Sequence, residues 1–320
     1  MSLSVQWDVL TAKTWHLKDE TGVPLNLLQS KDYAAAHCAA TKQICRLGRL
    51  SWDGVPAGFV QLYETGALGG ALHTVTLDRG PVWYDGFGTA AQNEAFFRSF
   101  ADLYPRRLGR MRRIIPELED TPTNRALLDA LGFKRKPGPG YKTLLLDLTR
   151  DLDDIRAGMR KSWRATLKKA ESRSPAPDLI WDENAKPLAP FAGIYMHDRK
   201  QKGYSGPSPD LLQAFGRSFG VTGTMPIGLA MLDGRPAAGV LILRHGSAAT
   251  YQVGWTLPEG RDIQGHHLLL WDAIQRIKAD GVTLFDLGGI NEAEAGGVTD
   301  FKRGLAGKQA RELTLAGFYT

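Results

Sequence analysis

The feature that most constrains this chain is a rhythm of local signals that occurs twice. Asp53-Gly54 and Asp233-Gly234 each separate apolar runs, and Asp-Gly is a dipeptide suited to the positive-φ turn of a β-hairpin. After the first turn, strands are expected over 57–63 and 74–77. A helix over 90–103 follows, with apolar or aromatic residues at 96, 97, 100 and 103 before Pro105. A strand over 111–115, a short helix over 123–131 closed by Gly132 and a strand over 141–148 complete that half. The second Asp-Gly turn lies between strands over 227–232 and 237–244, and a strand over 249–255 follows. A helix over 267–279, closed by Gly281, then leads to a strand over 282–287. Alternation of this kind specifies an α/β (α+β) fold, with mixed sheets flanked by helices.

At 320 residues the chain has room for two such domains. We expect an N-terminal domain over 1–148 and a C-terminal domain over 149–305, with 306–320 supplying a final strand to either. Between the two rhythms lie a basic helix over 153–171, the breaker Ser174-Pro-Ala-Pro177 and helices over 188–202 and 209–219.

With 43% apolar and 23% charged residues the chain is an ordinary globular one, which excludes extended disorder. Its formal net charge is +6, but from Arg98 to Arg173 there are 19 Lys and Arg against 10 Asp and Glu. The excess points to an anionic partner without naming it, and solvated helix faces explain it equally well. Two cysteines, Cys38 and Cys45, are too few for a disulfide framework or a thiolate metal site, and they fit a reducing compartment. The first residues lack a signal-peptide pattern, and no apolar run approaches the ~20 residues of a membrane span. A cytoplasmic protein without stable membrane insertion is expected.

The sharpest local pattern is Leu284-Phe-Asp-Leu-Gly-Gly-Ile290, followed by Gly296-Gly-Val-Thr-Asp-Phe-Lys-Arg-Gly-Leu-Ala-Gly307. A strand running into paired glycines lets backbone approach a ligand closely. The second segment sets Phe301 beside Lys302, a cation able to stabilise an oxyanion or hold a phosphate. Asp286, at the strand end, is either a general base or the organiser of the loop after it.

These two segments, with Arg79-Gly-Pro-Val-Trp83, Leu131-Gly-Phe133, Met159–Ala170 and the 254–270 region, resemble the FemAB family of peptidoglycan-bridge aminoacyltransferases over most of the chain. The resemblance implies two tandem GNAT-like acyltransferase domains. It also implies transfer of an amino acid from aminoacyl-tRNA to an amine of a phosphorylated muropeptide or other amine acceptor, with no cofactor. Under it Phe301 and Lys302 are the catalytic pair, and Gly288 and Gly289 lie at the substrate. Arg199 or Lys200 with Tyr204 bind phosphate, and Tyr251 is the aromatic facing the acceptor. His37 stands where the family often carries a lysine, which weakens phosphate attraction there because imidazole is mostly neutral at pH 7.

Arg156, Arg160, Arg164 and Lys168 would fall near one face of a single helix, placed to follow phosphates of a tRNA acceptor stem. A solvated helix reads the same way. The string Arg135-Lys-Pro-Gly-Pro-Gly140 mimics the phosphate loop of acyl-CoA enzymes. Two prolines remove the N–H groups such a loop needs, and no helix follows, so it is set aside. In 260–266, where the second domain would carry that loop, the spacing is wrong. His266-His267 is not a metal pair, because adjacent helical side chains diverge. The alternatives are a GNAT-fold N-acyltransferase using acyl-CoA or acyl carrier protein on a lipid, sugar or small amine, and an RNA- or anion-binding module on a degenerate acyltransferase fold.

Overall fold

The structure, a computed structural model, describes residues 2–8 and 24–320. The chain divides into two compact units, one made of the residues up to Tyr141 with Leu313–Thr320, the other of Lys142–Glu312.

The first unit is built on strands β1 (Leu3–Trp7), β2 (Ile44–Trp52), β3 (Val55–Ala67), β4 (Leu72–Gly80), β5 (Val82–Trp83) and β6 (Arg110–Pro116). Their order is β1-β2-β3-β4-β6, with β5 on β3. The Asp53-Gly54 turn joins β2 to β3, with positive φ at both residues. On β4, Val75 and Leu77 face a core that includes Phe96, Phe97 and Phe100 of helix α2 (Ala90–Leu103). Thr89 and Gln92 close that helix with a capping box. Helix α1 (Lys31–Thr41) carries His37, and α3 (Pro122–Ala130) completes the unit.

The second unit contains β7 (Lys142–Asp147), β8 (Asp178–Asp182), β9 (Ile227–Leu232), β10 (Arg235–His245), β11 (Ala248–Thr256) and β12 (Leu284–Gly289). With β13 (Ala310–Thr314) they form a sheet in the order β13-β7-β12-β11-β10-β9-β8. Its helices are α4 (Leu152–Gly158), α5 (Lys161–Glu171), α6 (Leu188–Lys202), α7 (Pro209–Ser218), α8 (Pro258–Asp262), α9 (Gly265–Ala279) and α10 (Glu292–Ala306). The apolar stripe of α9, with Leu269, Leu270, Ala273, Ile274 and Ile277, is buried in one core with Val240, Ile242, Ala249 and Phe285 of the sheet.

Two local expectations change. The strand expected to end the first domain at 148 is β7, which pairs antiparallel with β12 through Phe285↔Leu146 and Asp286↔Leu145. Leu144 and Leu146 are buried in the second core, so the division of the chain falls after Tyr141. The basic helix expected over 153–171 is two helices. Met159 and Arg160 are extended, with ψ of 154° and 144°, and they turn α5 away from α4. Residues 296–306 of the glycine-rich segment lie in α10, which kinks at Ala295. Among the described residues no helix is long and apolar enough to cross a membrane.

Candidate active site

Strands β11 and β12 run parallel but pair over three positions only, Ala248↔Leu284, Ala249↔Phe285 and Thr250↔Asp286. Beyond Thr250 the two strands separate. The departure coincides with a β-bulge at Gln252 of β11, opposite Leu241 and Ile242 of β10, and with a turn at Asp286–Gly288 of β12. The Gly288 N–H donates to Asp286 Oδ1 at 2.8 Å, closing a turn that holds Gly288 at φ +75°. Thr143 of β7 donates its hydroxyl to the same oxygen. A methyl group at position 288 would sit 3.0 Å from the Tyr251 carbonyl, so glycine suits both the backbone angle and the space.

Tyr251–Thr256, the part of β11 that has left β12, lines a cavity of about 800 Å³. Asp198, Lys202 and Tyr204 close one side. Arg261, His266, Ala295–Val298, Phe301 and Lys302 close the other.

Lys302 is the deepest cation of this cavity. Its side chain is 8% exposed, and its Nζ donates to the Gly289 carbonyl at 2.8 Å and lies 5.7 Å from the centre of the Tyr251 ring. Burial lowers its pKa to about 8, against the opposing pull of Asp286. The ammonium therefore predominates at pH 7 but sheds its proton more readily than a surface lysine. Phe301 packs edge-on against His267, with ring centroids 5.0 Å apart, and within 5.9 Å of Trp163. Burial lowers both His266 and His267 to about 4, so both are neutral near pH 7. Tyr251 is half-buried and its phenol is raised by burial. The tyrosine needs Gly254, because a methyl group there would collide with the Tyr251 hydroxyl.

On α6, Asp198 accepts from the Tyr204 hydroxyl at 3.0 Å and pairs with Lys202 at 2.6 Å. The Tyr204 phenol is raised by burial and by that carboxylate.

The structure thus brings together Lys302, Phe301, Tyr251 and Tyr204 of the residues singled out from sequence, with Gly288 and Gly289 against the lysine. Asp286 takes the organising role. Its Oδ1 receives the Thr143 hydroxyl and the Gly288 N–H, and the residue does not line the cavity.

Arg199 does not line the cavity either. Its guanidinium donates to the carbonyls of Tyr204 and Pro207 and so holds the turn after α6, while Lys200 is exposed and outside the cavity. The cations that do line it on the α6 and α8 sides are Lys202 and Arg261. Sequence reasoning passed over them because nothing local sets them apart from other surface charges.

The basic row is largely consumed by the protein itself. Arg156 pairs with Glu171 at 2.5 Å and lies over Trp271, Arg160 pairs with Asp300, and Arg164 donates to the Ala157 and Met159 carbonyls. Lys168 remains exposed. The break at 159–160 also removes the continuous helical face that the row required.

His37 belongs to the first unit. It contacts Gln43 at 2.7 Å, packs 4.3 Å from the Tyr63 ring and lines a cavity of about 560 Å³ with Asp78 and Arg113. The 135–140 string is a loop of the first unit that opens no helix. Among the described residues no cluster of His, Cys, Asp and Glu could hold a metal ion.

Residues 157–303 match the family described as Acetyltransferase (GNAT) domain. Residues 157–303 thus carry a GNAT-type acyltransferase domain. The match spans the residues from the end of α4 through Arg303, and so contains the cavity and its lysine. No curated protein is matched significantly by sequence. Among solved structures, FemX superposes with a TM-score of 0.76 at 17% identity, covering 94% of this chain and 93% of that one. The C-terminal domain of a protein described as a lysylphosphatidylglycerol synthetase from Agrobacterium fabrum gives a TM-score of 0.52 at 14% identity, over 90% and 88%. A conserved protein of unknown function from Bacteroides thetaiotaomicron gives 0.54 at 11%, over 91% and 90%. At these identities the likeness is one of fold, and that fold is the tandem GNAT-like arrangement expected from the FemAB resemblance.

Proposed function

We propose that this GNAT-fold acyltransferase is an aminoacyltransferase. It moves an amino acid from aminoacyl-tRNA to an amine of a peptidoglycan-precursor-like acceptor in the cytoplasm. The observation that carries the reading is Lys302, a buried cation with a lowered pKa at the head of a cavity walled by Tyr251, Phe301 and the free edge of β11. The whole-chain likeness to FemX supports it.

The chemistry asked of the site is modest. The acceptor amine attacks the ester carbonyl, a C–N bond forms, and negative charge develops on the carbonyl oxygen. The Lys302 ammonium has N–H donors beyond the one given to Gly289, and one of these stabilises that oxygen. On collapse the C–O bond breaks. The ribose oxygen leaves and gains a proton, while the amine nitrogen loses one. No redox partner and no covalent enzyme intermediate are needed. Phe301 and Tyr251 exclude water around the lysine, and Lys202 and Arg261 offer charge to phosphates of either substrate. Lys168 is the member of the basic row left to meet tRNA.

The alternative is N-acylation from acyl-CoA or acyl carrier protein. It is favoured by the acetyltransferase match over 157–303 and by the separated β11 edge, which offers backbone groups to an extended thioester donor. One experiment separates the two. The protein is incubated with a charged tRNA pool and a nucleotide-linked muropeptide, and in parallel with acetyl-CoA and the same acceptor. Gain of one aminoacyl residue by mass spectrometry, lost in Lys302→Ala, supports the first reading. Acetylation without aminoacyl transfer overturns it in favour of the second.

A further inference from the structure

The arginines at 106, 107 and 110 take no part in the cavities described above, and the structure gives them a different setting. The tip between β3 and β4 runs Thr65-Gly-Ala-Leu-Gly-Gly-Ala-Leu72 and contains no charged side chain. Leu68 is 78% exposed and Leu72 51% exposed. The loop after α2 lies against this tip. Arg107 donates to the carbonyls of Gly70 at 2.6 Å and Ala71 at 3.1 Å, and the His73 N–H donates to the Gly109 carbonyl at 2.8 Å. Leu108, in that loop, is 99% exposed, and Leu103 at the end of α2 is also exposed.

Leu68, Leu72 and Leu108 therefore project from two segments tied to each other at one end of the first sheet, and Leu103 ends the helix that leads into the second of them. Isolated exposed leucines are ordinary, but a cluster on crossing loops marks an interaction surface. Leu68 sharpens the point. It is held at φ +52°, a left-handed conformation that costs a leucine energy and suits Gly, Asn or Asp.

The loop after α2 carries only basic charge, Arg106, Arg107 and Arg110, while Asp102 on α2 and Glu64 on β3, which contacts His73, are the acidic neighbours. Arg106 donates to the Thr320 carbonyl, Arg107 to Gly70 and Ala71, and Arg110 to Pro105 and His73. The partners of Arg107 and Arg110 are neutral backbone oxygens and a ring nitrogen. Among the described residues neither Arg107 nor Arg110 has a carboxylate partner. Exposed leucines beside Arg107 and Arg110, which have no carboxylate partner, match a lipid surface, with an apolar layer below and anionic headgroups at the level of the guanidinium groups. A protein partner would need an acidic rim around an apolar pocket, and nothing in this structure calls for that shape.

We propose that this tip of the first unit, with Leu68, Leu72 and Leu108 as anchors and Arg106, Arg107 and Arg110 as headgroup contacts, docks reversibly on an anionic lipid bilayer. The association is peripheral and does not depend on the acyl-transfer reading.

The test is co-sedimentation of the full chain with vesicles. One set contains phosphatidylcholine with 30% phosphatidylglycerol, a composition chosen for the test, and the other phosphatidylcholine alone. Wild-type protein should bind the anionic vesicles at least about tenfold better than the neutral ones, and binding should fall as salt is raised. The double variant Leu68→Asp/Leu108→Asp should lose about tenfold or more while keeping its thermal midpoint. Both positions are exposed, and aspartate tolerates the left-handed backbone at 68. Lys302→Ala should bind vesicles like the wild type, which separates this surface from the catalytic cavity. Equal binding to both vesicle types, no binding, or a double variant that binds like the wild type would overturn the proposal.

Discussion

The two units contain the same sequence of elements, a hairpin, a third strand, a helix and a parallel strand, but close them differently. In the first, β4 and β6 pair in parallel over seven positions, from His73↔Arg110 to Gly80↔Pro116. In the second, the corresponding strands β11 and β12 pair over three and then part. One sheet is zipped and the other is left open. The opening exposes a strand edge, and the buried lysine sits at that edge. The zipped sheet has a cavity on its face instead, lined by His37, Asp78 and Arg113. The comparison teaches that one topology serves two purposes once a single strand bends. At the point of parting β11 bulges at Gln252, and Asp286 holds the Thr143 hydroxyl and the Gly288 N–H.

The largest effect should come from removing what the opening exposes. Lys302→Ala is expected to lower the transfer rate by about 10²–10³-fold, with circular dichroism and the thermal midpoint checking that the fold persists. Lys302→Arg should restore only part of the rate, since the planar guanidinium does not fit a site shaped around an ammonium.

Next is the bend itself. Gly288→Ala places a methyl group 3.0 Å from the Tyr251 carbonyl at φ +75°, and is expected to cost about 1–2 kcal/mol of stability and to depress turnover. Urea titration and initial rates would check both. An unchanged protein would mean that the strands part for another reason.

Gly254→Ala tests the tyrosine under Lys302. It displaces the Tyr251 ring and should raise KM more than it lowers kcat, a split that steady-state kinetics resolves.

The pH profile sharpens the role of Asp286. If the ammonium of Lys302 is the working form, activity falls as pH rises through about 8. Asp286→Asn removes the carboxylate that raises the Lys302 pKa, so this limb should move to lower pH. Linkage gives a second sign. The folded pKa lies below the ordinary 10.5, so between about 8 and 10.5 the unfolded chain binds more protons and the lysine's contribution to stability grows with pH. A limb that stays in place in Asp286→Asn would remove the carboxylate from the electrostatics of the site.

The smallest effect is on dynamics. Amides on the open edge of β11 beyond Thr250 should exchange hydrogen faster than those of β4 facing β6, and should slow when a substrate fills the cavity.

Much of the fold was legible from local signals. Helices α2 and α6 and strand β9 lie on the residues that periodicity and breakers assign to them. Each has a strong boundary, such as Thr89 before α2 or Gly203 after α6. The candidate pair Phe301-Lys302 was likewise visible, because an aromatic next to a lysine in a glycine-framed segment is uncommon. Other features were not visible. Periodicity runs through 159–160 without a mark, since the break there depends on how α5 packs Trp163 and Leu167 into the core. Gly296 and Gly297 argue locally against a helix, and packing overrules their propensity. The partners of Arg156, Arg160 and Arg164 lie up to 140 residues away or on backbone carbonyls, where spacing along one helix cannot report them.

The sequence by itself therefore determined the class of fold, the twofold rhythm and the segment that carries the lysine, because those rest on turns, caps and apolar periods acting over a few residues. The tertiary structure decided which sheet β7 joins, which cations face the cavity and what Asp286 does. Each of these depends on whether a neighbouring strand stays paired or leaves. That choice is made by contacts between residues distant in sequence, such as the Thr143 hydroxyl on Asp286, and no local pattern encodes it.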